Sequence, residues 1–484
     1  MIAGLDPSSI QGNVLRGYRS NLRFVRHLML EVTDLGAARR FLATAATGGS
    51  AEVQAITTDE PWTEKQHLCF NVAITFAGLR ALGVPASSLT SFPLEYAEGM
   101  TARAELLSDT GASAPANWPA PFDKPDRIHV IASIYASEDS DSDGSSLLDA
   151  VQRQVGQAFN VLGVRDGAGF PEGKVHFGYV DSISQPRFRP RKDGTGVEPI
   201  DPLGTVLLGY PTRLEGLIFR VPEPWQLGFN GTFNAFRVLA QDVVGFEEYL
   251  DRAATELIER LPDEKICALL APEDAKRIMD VLLGPAERRQ EPPRDDRFLA
   301  LREIVAAQMC GRWRNGDPLA SCPDVPDPSK SLTEFDYGAS STCPAGSHLR
   351  RVNPRGGPMV QRIANYTRRL VRRGMPYGPP YDPVRPDKIE RGLLGNFIGA
   401  NLAAQFEAIM CDWLNLGLQD PEITRSNDPM LGANEPETSW FDLRLKDGSK
   451  LRIRGFPRFV ITRGGAYTFI PSMEAIRYLA ALNR

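Results

Sequence analysis

Three times near its start the chain sets a run of alternating apolar and polar residues directly before a run with helical spacing. RHLMLEVTD (26–34) leads into LGAARRFLATAA (35–46), and QHLCFNVAITF (66–76) leads into AGLRALG (77–83). RIHVIASIYA (127–136) then leads, across an acidic Ser-rich loop at 137–144, into LLDAVQRQVGQAFNVLG (147–163), which reads as one helix. Alternation buries one face of a strand and helical spacing buries one stripe of a helix, so each unit can be stable only by laying its helix on a sheet. Strands alternating with single helices imply an α+β fold of split βαβ, ferredoxin-like type. A second set follows. VLLGY (206–210) and GLIFRV (216–221) carry strand signals, GTFNAFRVLAQDV (231–243) is a strand, and VGFEEYLDRAATELIERL (244–261) is a helix. Residues 186–230 are rich in Pro and Gly and mark a boundary or long loop. The expected organisation is therefore two ferredoxin-like domains, 1–205 and 206–484, the second with a helical insertion at about 245–320 whose AERRQEPPRDD stretch (286–296) is a surface break. RFVITRG, GAYTFIPS and MEAIRYLAAL near the end are expected to return strands and a helix to the second domain.

Composition narrows function mainly by exclusion. With 484 residues, 42% hydrophobic and 24% charged, the chain is ordinary globular protein with room for two cores. A net charge of -5, from 55 basic and 60 acidic residues, gives no global attraction to nucleic acid or to an acidic membrane. No apolar run approaches a membrane span, and the first residues lack the pattern of a secretory signal, so a soluble cytoplasmic protein is expected. The 6 cysteines form neither a CxxC zinc pattern nor a CxxCH attachment pattern. GxxxxGK[ST], HExxH, GxSxG and GxGxxG are likewise missing.

The chain has only 5 histidines. His27, His67 and His129 fall in strand-like segments and read as packed or half-exposed side chains, and His176 reads as structural. His348 differs, lying in TCPAGSHLRRVNPR (342–355), where Arg350, Arg351 and Arg355 follow closely. Such cations suit a ligand bearing two carboxylates, although a solvated basic loop has the same composition. In KVHFGYVDSISQPRF (174–188), Asp181 stands among aromatic, apolar and small residues. Burial would raise its carboxyl pKa and a nearby arginine would lower it, a setting for proton transfer; a turn-capping aspartate is the alternative. RRLVRRGMPYGPP (368–380) adds adjacent arginines before a turn.

Taken in order, these segments resemble the dye-decolourising peroxidase family over nearly the whole chain. QGNVLRGY (11–18), FNVAITFAGLRALGV (70–84), GMTARAELLSDTG (99–111), GRWRNGDPL (311–319), RGLLGNF (391–397), QFEAIMCDWLN (405–415), DPMLG (428–432) and YTFIPS (467–472) complete the likeness, and the family's GxxDG motif stands here as Gly178 to Ser182. The resemblance implies non-covalent haem b held mainly by the C-terminal domain of a dimeric α+β barrel type fold, with His348 as proximal iron ligand and Asp428 on its other imidazole nitrogen. It implies Asp181 and Arg372 as the distal acid–base residue and its partner, Arg355 on a propionate with Arg350 beside it, and Tyr377 as an electron-transfer residue. Trp413 and Trp313 are further redox candidates that suit core packing better. The implied reaction reduces hydrogen peroxide and oxidises phenolic or dye-like donors, small organic reductants, in one-electron steps. Arg372 and Arg373 differ by one register step, and the oligomeric state, a dimer among the options, stays open.

Two positions depart from the family pattern. Ser182 replaces a glycine, which removes easy access to positive φ. Gly395 replaces a phenylalanine that lines the distal pocket, and a roomier, wetter pocket is the expected result. That room supports an alternative reading as a haem-dependent oxygenase or peroxygenase; a haem carrier without turnover is a third.

Overall fold

The computed structural model describes residues 4–137, 145–189, 199–284, 295–338, 342–359 and 366–482. Part of the acidic loop and most of the AERRQEPPRDD stretch lie outside the described residues. The first half follows the sequence units: β1 (Phe24–Glu31), α1 (Leu35–Ala46), β2 (Leu68–Ile74), β3 (Val130–Ala136), α2 (Ser145–Gly156) and β4 (Asn160–Ala168). Asp34 begins α1 by accepting from the Ala37 N–H at 2.9 Å, a cap that contributes about 1 kcal/mol, and the helix buries Phe41 and Leu42 against the sheet. The single helix expected over 147–163 is two elements. It stops at Gly156, and Asn160–Ala168 pairs antiparallel with β1. β-Branched residues and glycines in NVLGVRDGA fit an edge strand better than a continued helix.

The second half contains β5 (Thr232–Gln241), α3 (Val243–Arg260), then the helices α4 (Asp263–Leu269), α5 (Asp274–Leu283) and α6 (Asp296–Cys310). It continues through α7 (His348–Val352), β6 (Val371–Tyr377), β7 (Gly392–Gly399), the hairpin β8 (Trp440–Arg444) and β9 (Lys450–Arg454), then β10 (Val460–Ile470) and α8 (Met473–Ala481). Neither VLLGY nor GLIFRV is a strand. Val206, Leu207 and Leu208 are apolar because they are buried beside a turn that Gly209 closes at φ +94°, whereas Leu217 and Ile218 sit half exposed in a loop. RFVITRG and GAYTFIPS form the one strand β10, with an irregular register between Thr462 and Gly464 opposite β5.

The main sheet has eight strands in the order β4-β1-β3-β2-β10-β5-β7-β6. In each half the first strand lies between the last and third, and the second lies outermost of the set, so one ferredoxin-like order occurs twice. The halves meet where Phe469 of β10 pairs with Ile74 of β2. Among the described residues no helix is long and apolar enough to cross a membrane.

Candidate active site

Strand alternation in the second half builds one wall of a cavity. Directly opposed residues in antiparallel strands share a face, and β5, β7 and β6 align Arg237 with Gly395, Gly395 with Gly374, and Phe397 with Arg372. Those side chains and glycines line a cavity of about 300 Å³ that also receives Asp181, His348, Arg312 and Arg355. Most of the remaining lining is apolar, including Leu239, Leu349, Leu393, Ile409 and Leu431.

His348 is held by the densest polar framework in the site. Its Nδ1 lies 3.0 Å from Oδ2 of Asp428, which is fully buried. Oδ1 of Asp428 accepts from the Met430 and Leu431 N–H groups at 2.9 and 2.8 Å. Burial alone would raise the Asp428 carboxyl, but His348, Arg351 and the Leu431 N–H outweigh it and hold the group below its ordinary value. Buried Arg351 donates to the carbonyls of Gly346, Trp413 and Ser426, tying α7 to the segment that carries Asp428; burial pushes its own pKa down to about 10. With Nδ1 occupied, the imidazole has Nε2 left for the cavity.

The Asp181 side is built from a loop. Gly178 has φ +84°, and a Cβ there would come within 2.8 Å of Nη1 of Arg314, so its glycine serves both conformation and packing. Arg314 donates to the Phe177 carbonyl at 3.0 Å while its own carbonyl accepts from the Val180 N–H at 3.0 Å. Glu247 and Glu303 hold its guanidinium at 2.9 and 3.1 Å. Ser182 takes φ +64°, so the left-handed turn that a glycine would supply is kept with a serine in it, at a strain of roughly 1 kcal/mol. The Asp181 carboxylate lies over β6, since a Cβ on Gly374 would be 3.8 Å from its Oδ2. Its ion pair is with Arg19, 3.2 Å from the Nη1.

Alternation also separates the adjacent arginines. Arg372 shares the cavity face with Gly374, and its Nη2 donates to the Ser184 carbonyl at 2.8 Å. Arg373 is directed to the N-terminal segment, donating to the carbonyls of Asn13 and Val14 at 2.9 and 3.0 Å, and burial pushes its pKa down to about 10. Gln185 clamps the backbone of the edge strand β6 through both the N–H and the carbonyl of Arg372. Arg355, at φ +43°, donates to Ser184 Oγ at 2.7 Å and stacks on Phe335. Arg350 does not line the cavity; its guanidinium reaches the Cys343 carbonyl and the Tyr337 ring. Tyr377 does not line it either. Its hydroxyl donates to Glu390 at 3.0 Å, and burial, with Glu390, raises its pKa.

Gly395 does not open the pocket as its sequence suggests. A Cβ there would lie 2.8 Å from Cε2 of Phe397, because that ring, two residues along the same face, already covers the position. The aromatic wall is retained from a different residue. Four lining or neighbouring groups carry no strong local sequence signal: Arg19, Arg312, Gln185 and Phe397. Arg312 lies inside the quoted GRWRNGDPL segment, yet only the fold brings it beside Arg355 and Arg372. Trp313 and Trp413 are core residues, 1% and 2% exposed.

No family model matches the chain. Among curated proteins it is 25% identical to peroxidase 2 of Mycetinis scorodonius, over 98% of this chain and 87% of that one. It is 26% identical to the multifunctional dye peroxidase DyP2 of an Amycolatopsis species, over 97% and 95% of the two chains. Its fold matches a solved DyP-type peroxidase from Auricularia auricula-judae with a TM-score of 0.75 and 21% identity, covering 99% of this chain and all of that one. Relatives that align over most of both chains, and a fold that brings His348, backed by Asp428, to one cavity with Asp181 and Arg372, agree with the ordered motifs in making the chain similar to the dye-decolourising peroxidases.

Proposed function

We propose that this chain is a haem peroxidase in which His348 holds the iron of non-covalent haem b and Asp181 with Arg372 manages hydrogen peroxide while phenolic or dye-like molecules are oxidised. The observation that carries this reading is the shared cavity, with an Asp-backed imidazole, a carboxylate and arginines set among apolar walls. The residues fit haem. Apolar side chains suit the macrocycle, and the Nε2 of His348 suits iron. Cys310 also lines the cavity, but burial pushes its thiol up to about 12, which leaves it a neutral and poor ligand. Burial first, then the like charges of Arg355 and Arg372, lower the pKa of Arg312 against the pull of Tyr337. Among the described residues neither Arg312 nor Arg372 makes an ion pair with a carboxylate, so Arg312 with Arg355 suits the propionates of the cofactor while Arg372 is left for the peroxide side.

Haem supplies the redox-active iron and the storage of oxidising equivalents. Asp181 would take a proton from one oxygen of hydrogen peroxide and return it to the other, so that the second oxygen leaves as water. Arg372 places a fixed positive charge where negative charge develops as the O–O bond breaks. Asp428 keeps His348 in one tautomer and makes it a stronger donor. Phe397 and the neighbouring apolar chains restrict water around the reacting oxygens.

In this reading the division near residue 205 is functional: the first unit brings Asp181, Ser182 and Arg19, while the second brings His348, Arg355, Arg372, Gly395 and Asp428. Tyr377, half-buried at the end of β6, is the proposed outer relay for electrons from donors too large for the cavity. None of the 6 cysteines is in a disulfide, which suits a reducing compartment such as the cytoplasm. The oxygenase alternative loses its main support once Phe397 covers Gly395. The test is haem titration followed by peroxide-driven oxidation of a phenolic donor. A Soret band that requires His348, and donor oxidation that requires Asp181, are expected; an absent Soret band overturns the reading.

A further inference from the structure

The ion pair on Asp181 comes from an unanticipated part of the chain. Arg19 follows the short N-terminal helix Gly12–Leu15, far from the motif in sequence, and its Nη1 lies 3.2 Å from Asp181 Oδ2. Its Nη2 donates to the carbonyls of Gly173 and Lys174 at 3.2 and 2.7 Å. The Gly173 carbonyl also accepts from the Asp181 N–H at 3.0 Å. One guanidinium thus clasps both the carboxylate and the turn that carries it. The side chains of Arg19 and Asp181 are 14% and 28% exposed, so water competes only partly for either. Burial lowers the pKa of Arg19, and Asp181 opposes that shift, but an arginine stays charged at any working pH.

The neighbouring groups leave this role to Arg19. A second chamber adjoins the main cavity and shares Ser182, Gln185, Arg372 and Gly374 with it. Tyr18, Arg19, His27 and Tyr135 line it as well, and Arg373 borders both. Arg373 is engaged by Asn13 and Val14, and the donor bond of Arg372 goes to Ser184. Lys174 pairs with Glu172 at 2.7 Å, and burial pushes the His27 pKa down to about 3, which leaves that imidazole uncharged. Among the described residues, Arg19 is the cation in ion-pair contact with Asp181.

We infer that Arg19 is a positioning residue for the reaction: it holds the Asp181 carboxylate aimed, so the N-terminal segment is part of the active site. The inference rests on the reading of Asp181 as the acid–base group. A carboxylate that must shuttle a proton loses efficiency when its orientation is loosened.

The experiment compares R19A, R19Q and R19K with wild type in the haem-loaded full chain, each alone and combined with D181N. Two quantities are read across pH: the bimolecular rate of reaction with peroxide by stopped-flow, and the affinity of the ferric protein for cyanide, a ligand that must also lose a proton on binding. R19A and R19Q are expected to slow the peroxide reaction about 10-fold and to weaken cyanide binding, with R19K recovering most of the loss. In the D181N background, removing Arg19 should change neither quantity further. If R19A does not take up haem, the contrast between R19Q and R19K decides. An unchanged peroxide rate in R19A and R19Q while D181N is inactive overturns this inference alone, as does an equal loss on top of D181N. A D181N enzyme with wild-type rate overturns the acid–base reading and this inference with it.

Discussion

The two sides of the cavity are built on different principles. His348 stands on a helix whose next turn is pinned by fully buried Arg351, and its partner Asp428 has both oxygens engaged by the imidazole and two backbone N–H groups. Asp181 stands on a loop, partly exposed, at a serine-containing left-handed turn, held by one long side chain from the N-terminal segment. A metal ligand gains from a single saturated geometry, because any movement costs affinity and changes donor strength. A proton carrier needs access to water and substrate and room to hydrogen-bond in two protonation states. Under the proposed function the contrast has a reason: the rigid side would hold the cofactor, while the other would trade some order for exchange with solvent.

Removing the key group on each side should therefore fail differently. H348A is expected to abolish the Soret band together with all peroxidase turnover, read by haem titration. D181N should bind haem as wild type does but react with peroxide about 100 to 10,000-fold more slowly, the range general acid–base catalysis supplies. If H348A kept its Soret band, the rigid side would lie elsewhere, and the comparison would break.

The aromatic wall offers a sharper test. Restoring a large side chain at position 395 should not simply tighten the pocket, because the Phe397 ring occupies the space. G395F is expected to lose about 1 to 3 kcal/mol of stability through overpacking, measured by denaturant unfolding. Moving the ring, in G395F combined with F397G, should recover much of that loss. A G395F protein as stable as wild type would mean that Phe397 yields easily and that this side is looser still.

Behind Asp181, His27 gives the comparison a pH axis. It is fully buried on β1, Nδ1 lies 2.8 Å from Ser133 Oγ, and burial pushes its pKa down to about 3. An unfolded histidine titrates near 6.5, so the unfolded chain binds the extra proton first as the solution is acidified. The stability contribution is complete above about pH 6.5 and is lost as pH falls toward 3, at up to about 1.4 kcal/mol per unit. H27Q should flatten the fall in unfolding free energy across that window relative to wild type. An unchanged slope would place the acid sensitivity on other groups.

How much of this was legible before the fold depends on the range of the interactions. The strand at 24–31 and the helix at 35–46 follow from local alternation and spacing, and so do the helices at 243–260 and 296–310. The strand at 160–168 was hidden because NVLG continues the apolar spacing of the helix before it, and only pairing with β1 decides the matter. His348 stood out because imidazoles are few and arginines crowd its segment. Phe397 and Arg19 could not stand out. One acts by covering a glycine two residues away on a strand face, and the other by reaching across 162 positions of sequence. Contacts of that kind exist only after the chain has folded.

Ser182 tests the smallest part of the contrast, whether the loop side tolerates strain that the helix side does not show. At φ +64° the serine side chain costs roughly 1 kcal/mol that a glycine would not incur. Glycine, however, gives the unfolded chain more freedom, which offsets about 0.5 to 1 kcal/mol of the relief. S182G should therefore leave the unfolding free energy within about 0.5 kcal/mol of wild type, whereas the β-branched S182V should lose more than 1 kcal/mol. The two variants separate backbone strain from side-chain chemistry. If S182G stabilised the protein by 2 kcal/mol or more, the turn would be carrying strain well beyond its dihedral angle, and Asp181 would be held by tension as well as by Arg19.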